Sequence, residues 1–279
     1  MGPRDRNEPR PIAWGDRPLP AETPSGGTPG YGVPMEPRSI ERRLRRLASR
    51  VLTPDQRLRI KELEATMHVP RGDDLDALAL HFGTDKSSAG HNYTPLYERH
   101  FASRRLAVTS LLEIGVGGTS SIDGYETSAG GQSLQMWSRY LPHAQILGID
   151  IHHKAISGPR IHFEQGNASD RAFLERVIGA YGPFDIVIDD GSHIGRDILS
   201  AFETLWPAVK PGGLYVVEDL SLAYHADWEG GPPGSPGTVV ELIKRLVDDT
   251  LIRAGDAFRP SVGELHLYSE IVFLQAAIS

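Results

Sequence analysis

The apolar positions of this chain change their period partway along. Ile40, Leu44, Leu47 and Val51 recur at helical spacing, which predicts an amphipathic helix over 39–51. Pro54 starts a second helix that runs to about Met67, and Asp73–Phe82 reads as a third, ended by Gly83. From Ser110 the apolar residues come in short continuous runs, the mark of strands buried on both faces. Leu111–Ile114, Ile146–Asp150, Ile161–Phe163, Phe184–Asp189 and Leu214–Val217 are such runs. Helical patterns separate them: Ser133–Tyr140, Ser169–Tyr181 with Ser169 as N-cap, and Ile194–Val209 closed by Pro211-Gly-Gly213. A helix from Thr238 to about Ile252 follows. Leu265–Leu267 and Ile271–Leu274 read as a closing pair of strands. Strand–helix alternation of this kind predicts an α/β fold with a doubly wound, mostly parallel sheet.

Residues 1–38 break every period. Pro and Gly are interleaved there, so a flexible or extended arm is expected, or a strap anchored by Trp14, Tyr31 and Met35. The expected organisation is an arm over 1–38, a helical extension over 39–82 and the α/β domain over 83–279. Arg42, Arg43, Arg45, Arg46 and Arg50 line the far side of the 39–51 helix. That face reads as solvated or as a subunit contact, and a homo-oligomer is the expectation. Gly83–Lys86 and His91–Tyr97 are too polar to read as core and have the look of a functional loop or an ordinary connection. Lys86 is a candidate partner for a ligand carboxylate.

Composition narrows the class. Of 279 residues, 39% are apolar and 23% charged, as in an ordinary globular protein. A net charge of −7 argues against a general nucleic-acid binder. The absence of cysteine removes disulfides and thiolate sites and fits a reducing cytoplasm. No apolar run approaches the roughly 18–20 residues of a membrane span. The N-terminus lacks the apolar core of a secretory signal.

The candidate chemistry lies at strand ends. Asp189-Asp-Gly-Ser-His193 follows one strand, and Glu218-Asp219 ends another. If the two strands are neighbours, Asp190, Glu218 and Asp219 converge. Three hard oxygen ligands with no cysteine suit Mg²⁺ or a similar ion. His193, one turn past Asp190, is then a candidate base. Asp189 has a bland reading, in which it turns inward and hydrogen-bonds backbone. His91, His100, His152, His153 and His225 read as structural. A glycine turn, Glu113-Ile-Gly115-Val-Gly117-Gly118, follows the first strand, and Asp150 ends the second. A glycine turn admits close approach of a ligand, and an acid at the second strand end can bind two ribose hydroxyls. A nucleoside-containing cofactor is expected. Glycine spacing alone leaves open a nicotinamide dinucleotide or S-adenosylmethionine. Tyr224 and Trp228 form either a lid over an acceptor or an ordinary long loop.

Read together, the motifs resemble the metal-dependent sugar O-methyltransferases of macrolide and other polyketide biosynthesis. The residues that carry the resemblance are Gly83-Thr-Asp-Lys86, His91-Asn-Tyr-Thr-Pro95, Leu112–Gly118, Gly130–Leu134, Met136-Trp137, Gly148-Ile-Asp150, Asp189–His193, Gly212–Tyr215 and Glu218-Asp-Leu220. The resemblance implies a Rossmann-like class I methyltransferase fold with seven strands. It implies Mg²⁺ at Asp190, Glu218 and Asp219, with His193 as general base. It implies S-adenosylmethionine held by Glu113, Gly115, Gly117, Ser133, Asp150, Asn167 and Ala168, with Asp190 at the border of both sites. Asn167 stands where an acid is expected and can still accept and donate a hydrogen bond. The implied acceptor is a deoxysugar hydroxyl on a glycosylated small molecule. Two other readings remain: a nicotinamide-dependent oxidoreductase on the same sheet, and a non-catalytic methyltransferase-like partner protein.

Overall fold

The structure is a computed structural model that describes residues 70–117, 130–251 and 262–278. The arm expected over 1–38, the helices expected over 39–51 and 54–67, and the segment 118–129 lie outside the described residues. Five strands run parallel: β1 (Ser110–Ile114), β2 (Gln145–Asp150), β3 (Ile161–Gln165), β4 (Phe184–Asp189) and β5 (Val209–Val217). A closing antiparallel pair, β6 (Val262–Leu267) and β7 (Val272–Ala276), adds to β5. The seven strands lie in the order β3-β2-β1-β4-β5-β7-β6. Chain order reverses between β1 and β4. Ligands bind at such a reversal, outside the carboxyl ends of the strands.

Helices cover both faces. α1 (Leu75–Phe82), α2 (Thr94–Phe101) and α3 (Gln132–Tyr140) share one core with Leu111, Ile186, Ile188, Leu214 and Val216. α4 (Arg171–Tyr181), α5 (Gly195–Leu205) and α6 (Val239–Leu251) share the other with Leu112, Ile114, Val187, Tyr215 and Val217. Alternate strand residues thus point to opposite cores, as the pleat requires. No helix among the described residues is long and apolar enough to cross a membrane.

Three local expectations are corrected. Asp170, not Ser169, caps α4: its side chain accepts from the amides of Ala172 and Phe173, while Ser169 turns back to Asn167. The helix expected over Ile194–Val209 stops at Leu205. Pro207 lacks the amide that a further helical turn would need, and Trp206–Ala208 tightens into a 3₁₀ turn. Pro211-Gly-Gly213 then lies inside β5, where the register against β4 shifts between Phe184 and Ile186. The polar stretch His91–Tyr97 is neither exposed nor a loop throughout. Thr94–Phe101 is a helix with Pro95 in its first turn, and Tyr93, Thr94 and Tyr97 are buried.

The pleat also separates the two neighbouring acids of the Asp-Asp-Gly motif. Asp189 is buried and accepts from the Tyr215 hydroxyl at 3.0 Å and, more weakly, from the Gly191 amide at 3.4 Å. Burial pushes its carboxyl from an ordinary 3.8 up to about 7, against the pull of the Tyr215 hydrogen bond. A carboxyl raised in the fold binds a proton that the unfolded chain has released. Its contribution therefore falls as pH climbs between those two values. Asp189→Asn is expected to gain on wild type by on the order of 2 kcal/mol more at pH 8 than at pH 5. Urea unfolding of both proteins at the two pH values checks this, and an equal difference at both would sink it.

Candidate active site

The tips of β1, β4 and β5 meet beside the first turn of α2 and the loop before it. Lys86 stands at the centre. Its ammonium donates to Asp190 Oδ2 at 2.6 Å and to the two oxygens of Glu218 at 2.8 and 2.9 Å. Glu113 Oε1 lies 3.4 Å away. Lys86, Glu113 and Glu218 are all buried. Tyr97 donates a further hydrogen bond to Glu218 Oε1. Burial works against the Lys86 ammonium, yet the surrounding carboxylates hold it charged well above its ordinary range. Burial likewise raises Glu218 and Asp190, with Lys86 pulling both the other way. Glu113 is pushed by burial to about 7.

A second group opens outward from the first. Asp190, His193 and Asp219 can each place a ligand atom within 4.8 Å of the others. His193 Nε2 lies 3.8 Å from Asp219 Oδ2. On the other oxygen, Tyr93 donates to Asp219 Oδ1 at 2.6 Å and His91 Nδ1 stands at 3.3 Å. His193 and Asp219 both take positive φ, 56° and 55°. Non-glycine residues are held there only where surrounding structure over-determines them, and functional sites collect such positions.

The expected set of acids is therefore brought together but divided. Asp190 and Asp219 face the outer group with His193. Glu218, expected as a third metal ligand, has both oxygens engaged by Lys86, and one of them also by Tyr97. Lys86, expected to meet a ligand's carboxylate, meets the chain's own. His91, read as structural, reaches Asp219. Tyr93 lies in the His91–Pro95 motif but is assigned no role by it, and Tyr97 is marked only by its place in the same polar stretch.

The glycine turn leads directly to these acids. Gly115 has φ +76°, and a Cβ there would lie 2.1 Å from the backbone oxygen of Asp190. So the turn after β1 packs against the tip of β4, and only glycine allows it. Gly115→Ala is expected to cost about 2–3 kcal/mol in unfolding free energy, from forbidden φ and backbone overlap together. Chemical denaturation checks this; a loss below roughly 0.5 kcal/mol, the scale of a neutral surface change, would contradict it. Gly117, at φ +64°, has nothing among the described residues within 4 Å of its Cβ position. Glu113 and Ser133 face each other inside the core, with Ser133 Oγ donating to Glu113 Oε2 at 2.8 Å. They brace the turn from behind. Asp150 lies at the tip of β2, adjacent to β1, and accepts from the His152 amide at 2.8 Å. Lys154 Nζ stands 3.9 Å from its other oxygen. Asn167 is exposed after β3, its side-chain oxygen taken by the amide and hydroxyl of Ser169 at 2.9 Å. Ala168 packs on the core beneath it.

Sheet order, the β1 glycine turn and the acid at β2 together define a Rossmann-like, class I methyltransferase fold. No family model matches the chain. Known proteins do. It is 42% identical over 210 residues to 8-demethyl-8-alpha-L-rhamnosyl tetracenomycin-C 2'-O-methyltransferase of Streptomyces olivaceus, covering 72% of this chain and 54% of that one. It is 40% identical over 217 residues to mycinamicin VI 2''-O-methyltransferase of Micromonospora griseorubida, covering 74% and 53%. A solved mycinamycin-pathway methyltransferase in complex with Mg, SAH and mycinamycin VI superposes with a TM-score of 0.67 at 38% identity, covering 74% of this chain and 54% of that one. The chain thus spans about half the length of the relatives it matches. Within the class I methyltransferases it is homologous, over that region, to sugar O-methyltransferases of macrolide and polyketide pathways.

Proposed function

We propose that this chain is an S-adenosylmethionine- and Mg²⁺-dependent O-methyltransferase for a deoxysugar hydroxyl on a glycosylated natural product. The observation that carries this reading is the approach of Asp190, Asp219 and His193 at the reversal point of the sheet, beside the glycine turn after β1. The homology to enzymes of that activity supports it.

The donor set fits a hard cation. Asp190 and Asp219 offer carboxylate oxygens, and Mg²⁺ is held through one or two carboxylates with its remaining positions filled by water and substrate. Imidazole is the odd donor for such an ion, which leaves His193 for proton work. Mg²⁺, when bound, supplies Lewis-acid stabilisation of the charge that develops on the sugar oxygen. S-adenosylmethionine, when bound, supplies the electrophilic methyl. The chain's own residues do the rest. His193 Nε2 accepts the hydroxyl proton, and Asp219 Oδ2 beside it favours the imidazolium that results. Tyr93 holds the Asp219 carboxylate from its other oxygen. The Gly115–Gly117 turn lets the cofactor approach the backbone, Asp150 takes its ribose hydroxyls, and Asn167-Ala168 border its base. Glu113 and Ser133 support the turn, and Glu218 supports Asp190 through Lys86. The fixed geometry of nucleophile and methyl donor then lowers the barrier by positioning. The reading keeps two expectations that rest on sequence alone, a homo-oligomer and a reducing cytoplasmic setting.

Labelled S-adenosylmethionine with a panel of rhamnosylated polyketides, followed by mass spectrometry, tests the reaction. EDTA is expected to abolish transfer and added Mg²⁺ to restore it. Full turnover in EDTA rejects the metal role. No transfer to any glycoside while S-adenosylhomocysteine still binds rejects the enzyme reading and favours a non-catalytic partner. Tight NADH binding favours the oxidoreductase.

A further inference from the structure

Trp228 is an exposed aromatic residue with no place in the chemistry above. A lone exposed apolar side chain is ordinary on a protein surface. This one is set apart by where it stands and how it is held. Its ring centroid lies 5.5 Å from that of His193, with the ring planes at 77°. It keeps 36% of its surface exposed. The segment that carries it is tied down. The Trp228 amide donates to His225 O at 3.1 Å, the Gly230 amide to the same oxygen at 2.9 Å, and the Gly231 amide to Ala223 O at 3.1 Å. Next to it, Glu229 adopts φ 56° and pairs with Arg196 of α5 at 2.8 Å. A Cβ at Gly230 would lie 2.3 Å from Ala223 O, so this tight return of the chain needs its glycine. The backbone that carries the indole is thus held in place, and the ring, with part of its surface open, stands 5.5 Å from the proton-accepting ring in a T-shaped arrangement.

From this geometry we infer that Trp228 is the platform on which the acceptor's sugar ring rests, and so a specificity-determining residue. The inference rests on the functional reading above. A pyranose presents one face of C–H groups and a rim of hydroxyls. The C–H face suits an aromatic plane, and a deoxysugar adds an apolar methyl to it. With that face on the indole, the rim hydroxyls remain free to turn toward His193 and Asp219. The platform binds the sugar and orients it; it moves no proton. A rigid aromatic side chain provides such contact area at little conformational cost. The alternative is that Trp228 only buttresses His193, and the two roles separate in kinetics. A platform acts on acceptor binding, whereas a buttress acts on turnover.

Two measurements test this. In the first, Trp228→Ala and Trp228→Phe are assayed with a rhamnosylated polyketide acceptor. Trp228→Ala is expected to raise acceptor KM about tenfold, the loss set by one stacked apolar face, with kcat within about threefold of wild type. Trp228→Phe, which keeps a ring, is expected to recover part of that loss. S-adenosylhomocysteine affinity is expected to stay unchanged in both. An unchanged KM, or a fall in kcat with KM intact, overturns the platform.

The second measurement needs no turnover. Acrylamide quenching of tryptophan fluorescence is followed in the full chain while methyl α-L-rhamnoside is added as probe. Of the four tryptophans, Trp137 and Trp206 are buried and Trp14 lies outside the described residues, so the signal of the indole at 228 is the part of the quenching that Trp228→Phe removes. Protection by the rhamnoside is expected in wild type and absent from Trp228→Phe. If wild type methylates no glycoside, the enzyme reading fails, and the quenching result still decides the platform. No protection in wild type, or equal protection in the variant, rejects it.

Discussion

Lys86→Met is expected to lower the unfolding free energy by about 3–5 kcal/mol, the scale for removing one partner of a buried ion pair. Methionine matches the length of the lysine stem, so packing changes little and the loss reports the ammonium. That ammonium is the charged partner of Glu218 and Asp190 within hydrogen-bond reach and sits 3.4 Å from Glu113. Each of those acids loses hydration by burial, and only the lysine offsets it for all of them. Without it, carboxylates at the tips of three strands repel one another across a few ångströms. Glu218→Gln is expected to cost less, because the amide still accepts from Lys86 while one negative charge leaves a crowded cluster. Combining Lys86→Met with Glu218→Gln is expected to recover part of the Lys86→Met loss, which marks coupling between the two sites. Urea denaturation of the four proteins reads this cycle. Strict additivity would show that the lysine acts through something other than these acids.

His193→Asn is expected to lower kcat for methyl transfer by about 10²–10⁴, the range assigned to a positioned general base. Asparagine is chosen for the backbone. His193 sits at φ 56°, and asparagine tolerates that region better than alanine does. S-adenosylhomocysteine affinity and thermal stability are expected to remain near wild type, since the imidazole is partly exposed and stands beside Asp219 and Trp228. Single-turnover assays beside calorimetry separate the two. A variant that keeps more than about a tenth of wild-type kcat would falsify the assignment of His193 as base.

The strands and most helices were legible because each buries a continuous or periodic apolar set. Ser110–Ile114 and Phe184–Asp189 are of this kind. Helix Thr94–Phe101 was not. Its sequence, Thr-Pro-Leu-Tyr-Glu-Arg-His-Phe, has a weak apolar face. It is stabilised by what Tyr97 and Phe101 meet, the rings of Trp137 and Phe273, and by the acid that Tyr97 caps. Those partners lie far away in sequence. Lys86 is the same case. A lysine in a Gly-Thr-Asp-Lys stretch reads as exposed, and only the meeting of three strand ends makes burial of its charge tolerable.

Sequence by itself determined the strand–helix alternation, the two acid pairs at strand ends and the glycine turn after β1, because these are written in local periodicity and in residue types with few alternative uses. Tertiary structure alone decided how the acids divide. The reversal of strand order sets β1 beside β4, and β4 beside β5. The pleat then sends Asp189 into one core and Asp190 toward the other. Lys86 takes both oxygens of Glu218, and Tyr97 one of them, while ligand atoms of Asp190, His193 and Asp219 lie within 4.8 Å of one another. A carboxylate's role depends on which charges and donors stand within a few ångströms of it, and that is a property of distance in space, which residue order along the chain does not contain.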